Sequence, residues 1–276
     1  MTYKRILTIQ DISCVGQCSM TVAMPILSAC GHETCILPTA ILSTHTGGFG
    51  KPVVQHLEVD GMWTHWREQE ITFDAILVGY LGSIRSIETV SEILDCMLAP
   101  GGVSIVDPAM ADHGKLYSGF DEAYAEAMKK LCEKADIMLP NITEAAMMTG
   151  LPYRENLDES YVRQLMSALP GKDVVLTGVG FTPDTTGCGI RQGSGIEFVH
   201  HPRLAKSYSG TGDMFAACFT GALMQGKSMT AAAELAGGFI CEAIANTAAN
   251  PAHWYGVKFE TALPYLIQQL HEKPAE

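Results

Sequence analysis

The run Ser209-Gly210-Thr211-Gly212-Asp213 contains the residue types of this chain that are best suited to chemistry. It precedes a stretch of small and apolar residues, which predicts a glycine-rich turn that opens a helix. Two glycines let backbone N–H groups converge on an anion at the positive end of that helix. A carboxylate in the first turn can accept a proton from a hydroxyl that attacks phosphorus. We therefore predict Asp213 as a catalytic base, with Gly210, Thr211 and Gly212 around the anion.

The same spacing also fits a purely structural role. Thr211 or Asp213 would then cap the helix, and the two glycines would only shape the turn. The run alone leaves both interpretations open, so the elements that position it have to be considered.

Short apolar runs alternate with amphipathic segments over most of the chain. This alternation implies parallel strand pairing, right-handed crossovers and helices on both faces of a sheet. Gly187–Gln192 and Ile196–His201 flank a Gly-Ser-Gly turn, which predicts an antiparallel hairpin at one edge. From Gly212 onward the pattern is nearly all helical. We predict one doubly wound α/β domain over residues 1–276 with a mostly parallel sheet. The other predicted strands are Arg5–Gln10, Glu33–Pro38, Ala75–Tyr80, Val103–Val106, Ile137–Leu139 and Val174–Thr177, and predicted helices include Val15–Ala29, Ser86–Leu98 and Asp121–Lys134.

Sheets of this kind bind ligands beyond the carboxyl ends of their strands. Polar residues that directly follow an apolar run are therefore the candidates for a site. This rule selects Gln10, Asp11, Ser13, Thr39, Ser43–Lys51, Tyr80–Ser83, Asp107, Asn141, Glu144, Thr177–Gly180 and Ser209–Asp213.

Composition and charge exclude several classes of function. The net charge of −12 argues against nucleic acid as a partner, because a duplex binder needs a basic face. No apolar run approaches the length of a membrane span, and the chain enters its first strand without a signal-peptide core. The nine cysteines are odd in number and form no C-x-x-C pair, so we expect reduced, buried thiols. We expect a soluble, cytoplasmic protein.

The Gly-Thr-Gly-Asp sequence before a small-residue helix resembles that of the ribokinase-like superfamily, and the resemblance extends over essentially the whole chain. It implies that Asp213 is the base and that the preceding amides form an anion hole for the γ-phosphate of ATP.

Several segments resemble the pyridoxal kinases of that superfamily more specifically. Residues 6–16 are similar to the first strand and the turn over the pyridine ring, where many members have serine at the position of Asp11. The resemblance implies a ring contact by Asp11, or by the hydroxyl of Ser13 in its place. The alternative is that both residues cap a helix over Val15–Ala29.

Two further segments are similar to substrate-contacting parts of the pyridoxal kinases. Leu42–Gly50 is similar to their flexible lid, which implies substrate contacts by Ser43, His45 and Thr46, with glycines as hinges. Gly79-Tyr80-Leu81-Gly82-Ser83 is similar to the segment whose tyrosine lies beside the substrate ring, here Tyr80. An ordinary mobile loop and a tyrosine that packs at a strand end are the alternatives.

The resemblance also implies a metal site. Asp107, in Asp-Pro-Ala-Met, matches an aspartate near Mg²⁺ and the phosphates. Asn141 and Glu144 resemble the Asn-x-x-Glu motif that organises Mg²⁺, and the same spacing is that of a capping box at a helix start. The two roles are compatible, since a capped helix end still presents a carboxylate to a hydrated Mg²⁺.

Two segments are expected beside the nucleotide phosphates. Thr177 and Gly178 look like the strand end and turn that flank the phosphates, with Thr177 as a hydroxyl donor. Lys206, just before the glycine run, is expected to neutralise a phosphate.

The resemblance as a whole implies a pyridoxal, pyridoxamine and pyridoxine kinase that uses ATP and Mg²⁺ and forms a homodimer. Dependence on a monovalent cation stays open. A hydroxymethylpyrimidine (phosphate) kinase is the first alternative, although the Gly-Gly-Ala-Gly turn usual in those enzymes is absent. A non-catalytic vitamin-binding protein is the second, and the presence of Asp213 and Glu144 speaks against it.

Overall fold

The structure is a computed structural model that describes residues 2–204, 206, 208–250 and 252–272. The chain groups into two compact units. The first, unit 1, combines Met1–Leu57 with Leu204–Glu276, and the second, unit 2, comprises Glu58–Arg203. The single domain over residues 1–276 stays a prediction.

The described elements are numbered in chain order. The strands are β1 (Arg5–Ser13), β2 (Glu33–Leu42), β3 (Val54–His56), β4 (Phe73–Val78), β5 (Leu98–Val106), β6 (Ala111–Asp112), β7 (Lys115–Leu116), β8 (Ile137–Met138), β9 (Asp173–Thr177), β10 (Thr185–Gln192) and β11 (Gly195–Pro202). The helices are α1 (Met20–Ala29), α2 (Asp60–Glu68), α3 (Ile84–Cys96), α4 (Glu122–Lys134), α5 (Ile142–Thr149), α6 (Glu159–Ala168), α7 (Thr211–Met224), α8 (Met229–Ala248) and α9 (Leu263–His271), with a 3-10 helix at Phe259–Ala262.

Unit 1 is built on a parallel strand pair from the start of the chain. β1 pairs with β2 in parallel, and β3 adds an antiparallel edge to β2. Ile6, Leu7 and Ile9 of β1 are completely buried, as a strand covered on both faces requires. α1 packs on this pair and against α7, and α7 packs against α8. The predicted helical character of the chain after Gly212 is confirmed.

The beginning of α1 differs from the prediction. A helix over Val15–Ala29 was expected, but β1 continues through Ser13 and α1 begins at Met20. Gly16 and Ser19 have φ of +101° and +53°, which a right-handed helix does not allow. The alternative that Asp11 and Ser13 cap this helix is therefore wrong, because both residues lie in the strand.

Unit 2 has four parallel strands followed by an antiparallel hairpin. β4, β5, β8 and β9 pair in parallel in that order. β10 is antiparallel to β9 and to β11, so the predicted hairpin is confirmed. A short antiparallel ribbon, β6–β7, follows β5. The predicted α/β class with mostly parallel strands and flanking helices is confirmed.

Two further expectations were tested by the structure. Among the described residues, no helix combines the length and the apolar composition needed to cross a bilayer. All nine cysteines are free thiols, but the expectation that they are buried holds only in part, because Cys14 and Cys96 are exposed.

Asp136, directly before β8, binds Ser104 of β5 and Lys172, which directly precedes β9, and provides a test of the fold. Its carboxylate accepts bonds from the Ser104 amide at 2.9 Å and hydroxyl at 2.8 Å, and from Lys172 at 2.5 Å. We expect Asp136→Ala to lower the free energy of unfolding by about 2 kcal/mol, because it leaves the buried Ser104 amide without an acceptor. Urea denaturation measures this. The matched control is Lys172→Ala, which removes only the exposed partner and should destabilise clearly less; an equal loss would contradict the explanation.

Candidate active site

In unit 1, the glycine run forms a tight turn into α7. Gly210 is the N-cap residue with φ of +84°, and a Cβ at this position would lie 2.0 Å from the Gln17 carbonyl oxygen. Thr211 donates its hydroxyl proton to the Tyr208 carbonyl at 3.3 Å. The alternative that Thr211 or Asp213 caps the helix is therefore wrong, because glycine occupies the cap. The first amides of α7 have no intrahelical acceptor and are available to an anion.

Asp213 lies in the first turn of α7 as a half-buried carboxylate. Burial raises the pKa of its carboxyl group to about 7. A hydrogen bond from the Ser19 backbone N–H opposes this rise in pKa, and the negative charge of Asp11 adds to it. A carboxyl group that titrates near neutral pH is suited to general base catalysis, because its conjugate acid is then almost as stable as the charged form.

Asp11 and Ser13 occupy the end of β1 and are buried to 3% and 2% exposure. The Ser13 hydroxyl donates to Asp11 Oδ2 at 3.1 Å. Burial raises the pKa of the Asp11 carboxyl, while hydrogen bonds from Ser19 and Ser13 oppose that rise. The polar groups of both residues are thus engaged within the protein, and their contact with a substrate ring stays a prediction.

The predicted lid, residues 43–51, follows β2 in unit 1. Ser43 closes it by pairing with Val53, with both hydrogen bonds at 2.9 Å. Ser43 and Thr46 are exposed, whereas His45 is buried to 3% exposure. The His45 Nδ1 accepts from the Gly47 amide at 2.9 Å, so Nε2 carries the proton and donates to a backbone carbonyl, that of Tyr255, at 2.7 Å. Neither ring nitrogen of His45 is free to meet a ligand in this conformation.

The C-terminal loop of unit 1, residues 252–257, packs on the lid, a contact that was not expected from the sequence. The Phe49 ring lies 4.8 Å from that of Trp254 and 5.7 Å from that of Tyr255. Such contacts join positions about two hundred residues apart, and no short motif marks them. The adjacent aromatic residues Trp254 and Tyr255 were the available signal in the sequence.

Gln17 is a second functional candidate that the sequence did not reveal. Its side-chain amide donates to both Glu260 carboxylate oxygens at 2.9 Å, and its Oε1 accepts from His253 Nε2 at 3.0 Å. Its main chain lies against Gly210. Gln17 therefore connects the turn before α7 to the C-terminal loop.

In unit 2, Glu144 lies in the first turn of α5, where its spacing to Asn141 predicted both a capping box and a Mg²⁺ site. The predicted capping box with Asn141 is present, and in it the backbone N–H of Asn141 donates to Glu144 Oε2 at 2.8 Å. Glu144 Oε1 also accepts from the amides of Met110 and Ala111 at 3.0 and 3.4 Å. The carboxylate is 1% exposed, and burial raises its pKa to about 7 although these bonds lower it. Its role toward Mg²⁺ stays a prediction.

The other predicted nucleotide residues of unit 2 lie at strand ends. The Asp107 amide donates to the Val78 carbonyl at 2.9 Å, directly after β5. Thr177 ends β9, and both its amide and its hydroxyl donate to the Pro140 carbonyl, at 2.8 and 3.3 Å. Gly178 is exposed with φ of +77°. Among the described residues, no group of three or more His, Cys, Asp or Glu side chains is arranged to hold a metal ion.

Tyr80 belongs to a stack of three aromatic rings in unit 2. Its ring lies 5.4 Å from that of Phe120 at an interplanar angle of 29°, and Phe120 stacks on Tyr124 at 3.7 Å. Tyr124 is buried and anchors the stack. The packing of a strand-end tyrosine is thus observed, and the contact of Tyr80 with a substrate ring stays a prediction.

The predicted site residues fall into two groups, one in each unit. Unit 1 contains Asp11, Ser13, Ser43, His45, Thr46, Lys206, Gly210, Thr211, Gly212 and Asp213, and unit 2 contains Tyr80, Asp107, Asn141, Glu144, Thr177 and Gly178. Lys206 is exposed, and its Nζ lies 4.6 Å from the centroid of the Tyr208 ring. Its contact with a phosphate stays a prediction.

Comparison with known proteins shows the family to which the chain belongs. The family model described as phosphomethylpyrimidine kinase matches residues 28–257. The chain belongs to this family. It is therefore a kinase, with the ribokinase-like fold that the glycine run indicated.

Curated relatives within the family carry two kinds of name. The hydroxymethylpyrimidine/phosphomethylpyrimidine kinase of Haemophilus influenzae is 27% identical over 61% of this chain, and the match spans only 64% of that enzyme, less than two thirds of its length. The pyridoxine/pyridoxal/pyridoxamine kinase of Bordetella avium is 29% identical over 88% of this chain and 85% of that enzyme.

Two solved structures are similar to this chain over nearly the whole of its length. The pyridoxal kinase of Lactobacillus plantarum is 33% identical, with a TM-score of 0.89 over 98% of this chain and 99% of that one. A putative phosphomethylpyrimidine kinase of Bacteroides thetaiotaomicron, in a crystal form with pyridoxal, is 35% identical, with a TM-score of 0.88 over 95% of each chain.

The two glycines of the α7 turn make a matched pair of variants. A Cβ at Gly210 would clash with the Gln17 carbonyl at 2.0 Å, whereas a Cβ at Gly212 meets nothing within 4 Å. We expect Gly210→Ala to lower the free energy of unfolding by about 2 kcal/mol or more. Gly212→Ala should leave the free energy of unfolding unchanged or slightly higher, because alanine favours the helix.

Gly212→Ala should nevertheless reduce turnover at least tenfold, because a methyl group enters the space next to the first backbone amides of α7. Full activity of a stable Gly212→Ala protein would contradict an anion site there.

Proposed function

We propose that the protein is an ATP-dependent kinase that phosphorylates the 5′-hydroxymethyl group of pyridoxal, pyridoxamine and pyridoxine. The observation that carries this choice is the pyridoxal in the Bacteroides thetaiotaomicron structure, which is 35% identical over 95% of this chain. The 33% identity to a pyridoxal kinase over nearly the whole chain supports it. ATP and the B6 vitamers are then the partners, and the homodimer and the cytoplasmic location stay predictions.

The proposed base is Asp213. The hydroxymethyl oxygen attacks the γ-phosphorus, its proton passes to the Asp213 carboxylate, and the bond between the γ-phosphorus and the ADP oxygen breaks. A carboxyl pKa of about 7 supports this role, since the carboxylate is both available and basic near neutral pH.

The amides at the start of α7 support a second role, that of holding the transferring phosphoryl group. Gly212 leaves open space beside these amides, since a Cβ at this position would meet nothing within 4 Å. Fixed N–H donors stabilise charge that develops on the phosphoryl oxygens without having to reorganise during the reaction. Lys206 is the proposed cationic partner of a phosphate, because its ammonium group is exposed and lies in the same unit.

The unit 2 carboxylates fit Mg²⁺ held through water. A carboxylate offers about four lone-pair sites, and the three backbone amides bound to Glu144 leave one of them available to a metal-bound water. Mg²⁺ keeps several waters and needs only one or two carboxylates besides the phosphates, so no larger cluster is required. We propose Glu144 and Asp107 for this site, with Asn141 beside them. When bound, the ion would neutralise phosphate charge.

The remaining residues are proposed for substrate and nucleotide contacts. Tyr80 can place its ring against a pyridine ring, because the stack with Phe120 already orients it. Residues 43–51, closed by His45 and Phe49 onto the C-terminal loop, would exclude water from the reaction. Thr177 and Gly178 are proposed for the phosphates.

Replacement of the base tests the chemistry. We expect Asp213→Asn to lower kcat for pyridoxal by a factor of about 100 to 10,000, because the isosteric amide cannot accept the proton. In the unmodified enzyme kcat should fall as pH decreases through about 7, since protonation of Asp213 removes the base. Steady-state assays at saturating MgATP measure both. Near-normal turnover of a folded Asp213→Asn protein would contradict the proposal that Asp213 is the base.

A hydroxymethylpyrimidine (phosphate) kinase is the second candidate function. The family description and the Haemophilus influenzae relative favour it. The phosphoryl-transfer residues would be the same for both substrates, so the two candidates differ only in the ring that the protein binds.

Direct competition between the two rings decides the substrate. We expect kcat/KM for pyridoxal to exceed that for hydroxymethylpyrimidine at least tenfold, because Tyr80 and the residues around it would be arranged for the pyridine ring. Phosphorylated products from an equimolar mixture can be quantified by mass spectrometry. Preferential phosphorylation of the pyrimidine would replace the first candidate by the second.

A further inference from the structure

Gln17 lies between β1 and α1 in unit 1, and its side chain binds the C-terminal part of the chain. Its amide nitrogen donates to both carboxylate oxygens of Glu260 at 2.9 Å. Because a carboxylate only accepts, this bond fixes the orientation of the amide, and the amide oxygen accepts from His253 Nε2 at 3.0 Å. Between these two partners the chain packs on Gln17 as well, since a Cβ at Gly256 would lie 2.9 Å from Gln17 Cβ. Gln17 therefore holds the C-terminal loop, residues 252–257, from several sides.

The main chain around Gln17 meets two other segments of unit 1. The Gln17 carbonyl oxygen would lie 2.0 Å from a Cβ at Gly210, so it packs directly on the turn before α7. The preceding residue, Gly16, packs on the lid, since a Cβ there would lie 2.0 Å from Cδ2 of the His45 ring. Residues 16 and 17 are therefore the place where the α7 turn, the lid and the C-terminal loop come together.

The lid, residues 43–51, rests on the loop that Gln17 holds. His45 donates to the Tyr255 carbonyl at 2.7 Å, and the aromatic contacts described above join the lid to the same loop. The main chain of the lid also approaches the glycine run, because a Cβ at Gly47 would lie 2.9 Å from Ser209 Oγ. In this conformation the lid therefore lies against the run that leads into α7.

The C-terminal loop depends on side chains for its position. It lies between α8 and the 3-10 helix, and residues 252–257 contain no helix or strand. Its backbone therefore lacks the regular hydrogen bonds that fix such elements, and other groups have to hold it. A lid closes reproducibly only onto a surface that is itself held in place. The bonds from Gln17 to Glu260 and His253 meet this requirement.

We propose that Gln17 is a positioning residue for the lid, which holds the C-terminal loop where the closed lid docks and connects that place to the α7 turn. This inference rests on the proposed function, in which the lid keeps water from the γ-phosphate. Gln17 itself exchanges no atom with ATP or the vitamin. Loss of its side chain leaves Asp213 and the first amides of α7 present and lowers the fraction of the protein in which the lid is closed.

Replacement of the amide tests this role. Gln17→Met keeps the length of the side chain and removes its bonds to Glu260 and His253. We expect KM for pyridoxal to rise about tenfold, because only the closed fraction retains the substrate, while kcat at saturating pyridoxal falls less than about threefold. Water then takes part of the γ-phosphoryl groups and yields ADP and inorganic phosphate. The ratio of ADP to pyridoxal phosphate formed, measured by chromatography, should therefore rise above that of the unmodified enzyme.

Hydrogen exchange of the lid gives a readout that needs no substrate. In the free protein, the backbone amides of residues 43–51 should exchange about tenfold faster in Gln17→Met, whereas those of α6 in unit 2 keep their rates. Gln17→Glu combined with Glu260→Gln restores an amide–carboxylate pair, in which the new carboxylate can still accept from His253. This double variant should return KM and lid exchange to within about twofold of the unmodified protein, whereas Gln17→Glu alone should not.

The matched control is Gln268→Met. The Gln268 side chain forms the same kind of bond in the same unit, because its amide nitrogen donates to Glu272 Oε1 at 2.9 Å. That bond joins two positions at the end of α9 and involves neither the lid nor the C-terminal loop. The variant should leave KM, the product ratio and lid exchange unchanged.

Two glycines of the lid provide a second matched pair. Both have a positive φ, +91° at Gly48 and +77° at Gly50, so a side chain strains the backbone at either position. A Cβ at Gly48 would lie 2.6 Å from the Trp254 ring, whereas a Cβ at Gly50 would meet nothing within 4 Å. We therefore expect Gly48→Ala to raise KM for pyridoxal and lid exchange more than Gly50→Ala does.

Four results would overturn the inference. A lower melting temperature of Gln17→Met with unchanged KM and lid exchange would make Gln17 merely structural. A lower kcat with unchanged KM and lid exchange would place its effect in the α7 turn. Equal changes in Gln268→Met, or equal effects of the two glycine variants, would show that the contact with the loop does not hold the lid.

The proposed function fails by a separate route. If pyridoxal is not phosphorylated, but lid exchange rises in Gln17→Met and returns in the double variant, the inference about Gln17 stands and only the substrate is wrong. If pyridoxal is phosphorylated and lid exchange does not respond to Gln17→Met, the proposed function stands and only the inference about Gln17 fails.

Discussion

The close approach of the Gly210 backbone to the Gln17 carbonyl is the constraint on which the unit 1 site depends. Only a glycine fits there, because φ is positive and a Cβ would lie 2.0 Å from the Gln17 carbonyl oxygen. This contact places the start of α7 against the segment between β1 and α1. Asp213 consequently lies half-buried in the first turn of that helix, and its partial removal from water is the largest cause of the raised pKa that makes it a stronger base than an exposed aspartate.

Unit 2 also contains a buried carboxylate, that of Glu144, which forms part of the framework of the fold. Glu144 completes the capping box of α5 and accepts the amides that begin the β6–β7 ribbon. The groups that stabilise the fold there thus orient the carboxylate proposed for Mg²⁺ before any ion arrives. The capping box that the structure contains and the Mg²⁺ role that we propose for Glu144 are therefore compatible.

The sequence predicted the features that depend on local geometry. Helix spacing alone brings Asn141 to Glu144 and places Asp213 in the first turn of α7, and alternation of strands and helices indicated the α/β class. It failed at α1, where apolar periodicity suggested a helix from Val15 and two positive φ values exclude it. It also missed the contacts of Gln17 with Glu260 and His253 and the packing of Trp254 on the lid. Both depend on tertiary contacts between segments far apart in the chain, which periodicity does not record.

Unit 1 is assembled from the two ends of the described chain, and this has a consequence for folding. Asp11 and Asp213 are separated by roughly two hundred residues, with all of unit 2 between them. Contacts of such long range form late, after a large loop has closed. During synthesis, α1 leaves the ribosome long before α7 exists, so it must wait without the helix on which it packs. The carboxylates of unit 2 can therefore be in place while the chain still lacks Asp213, and the proposed proton abstraction requires that the last helices have packed.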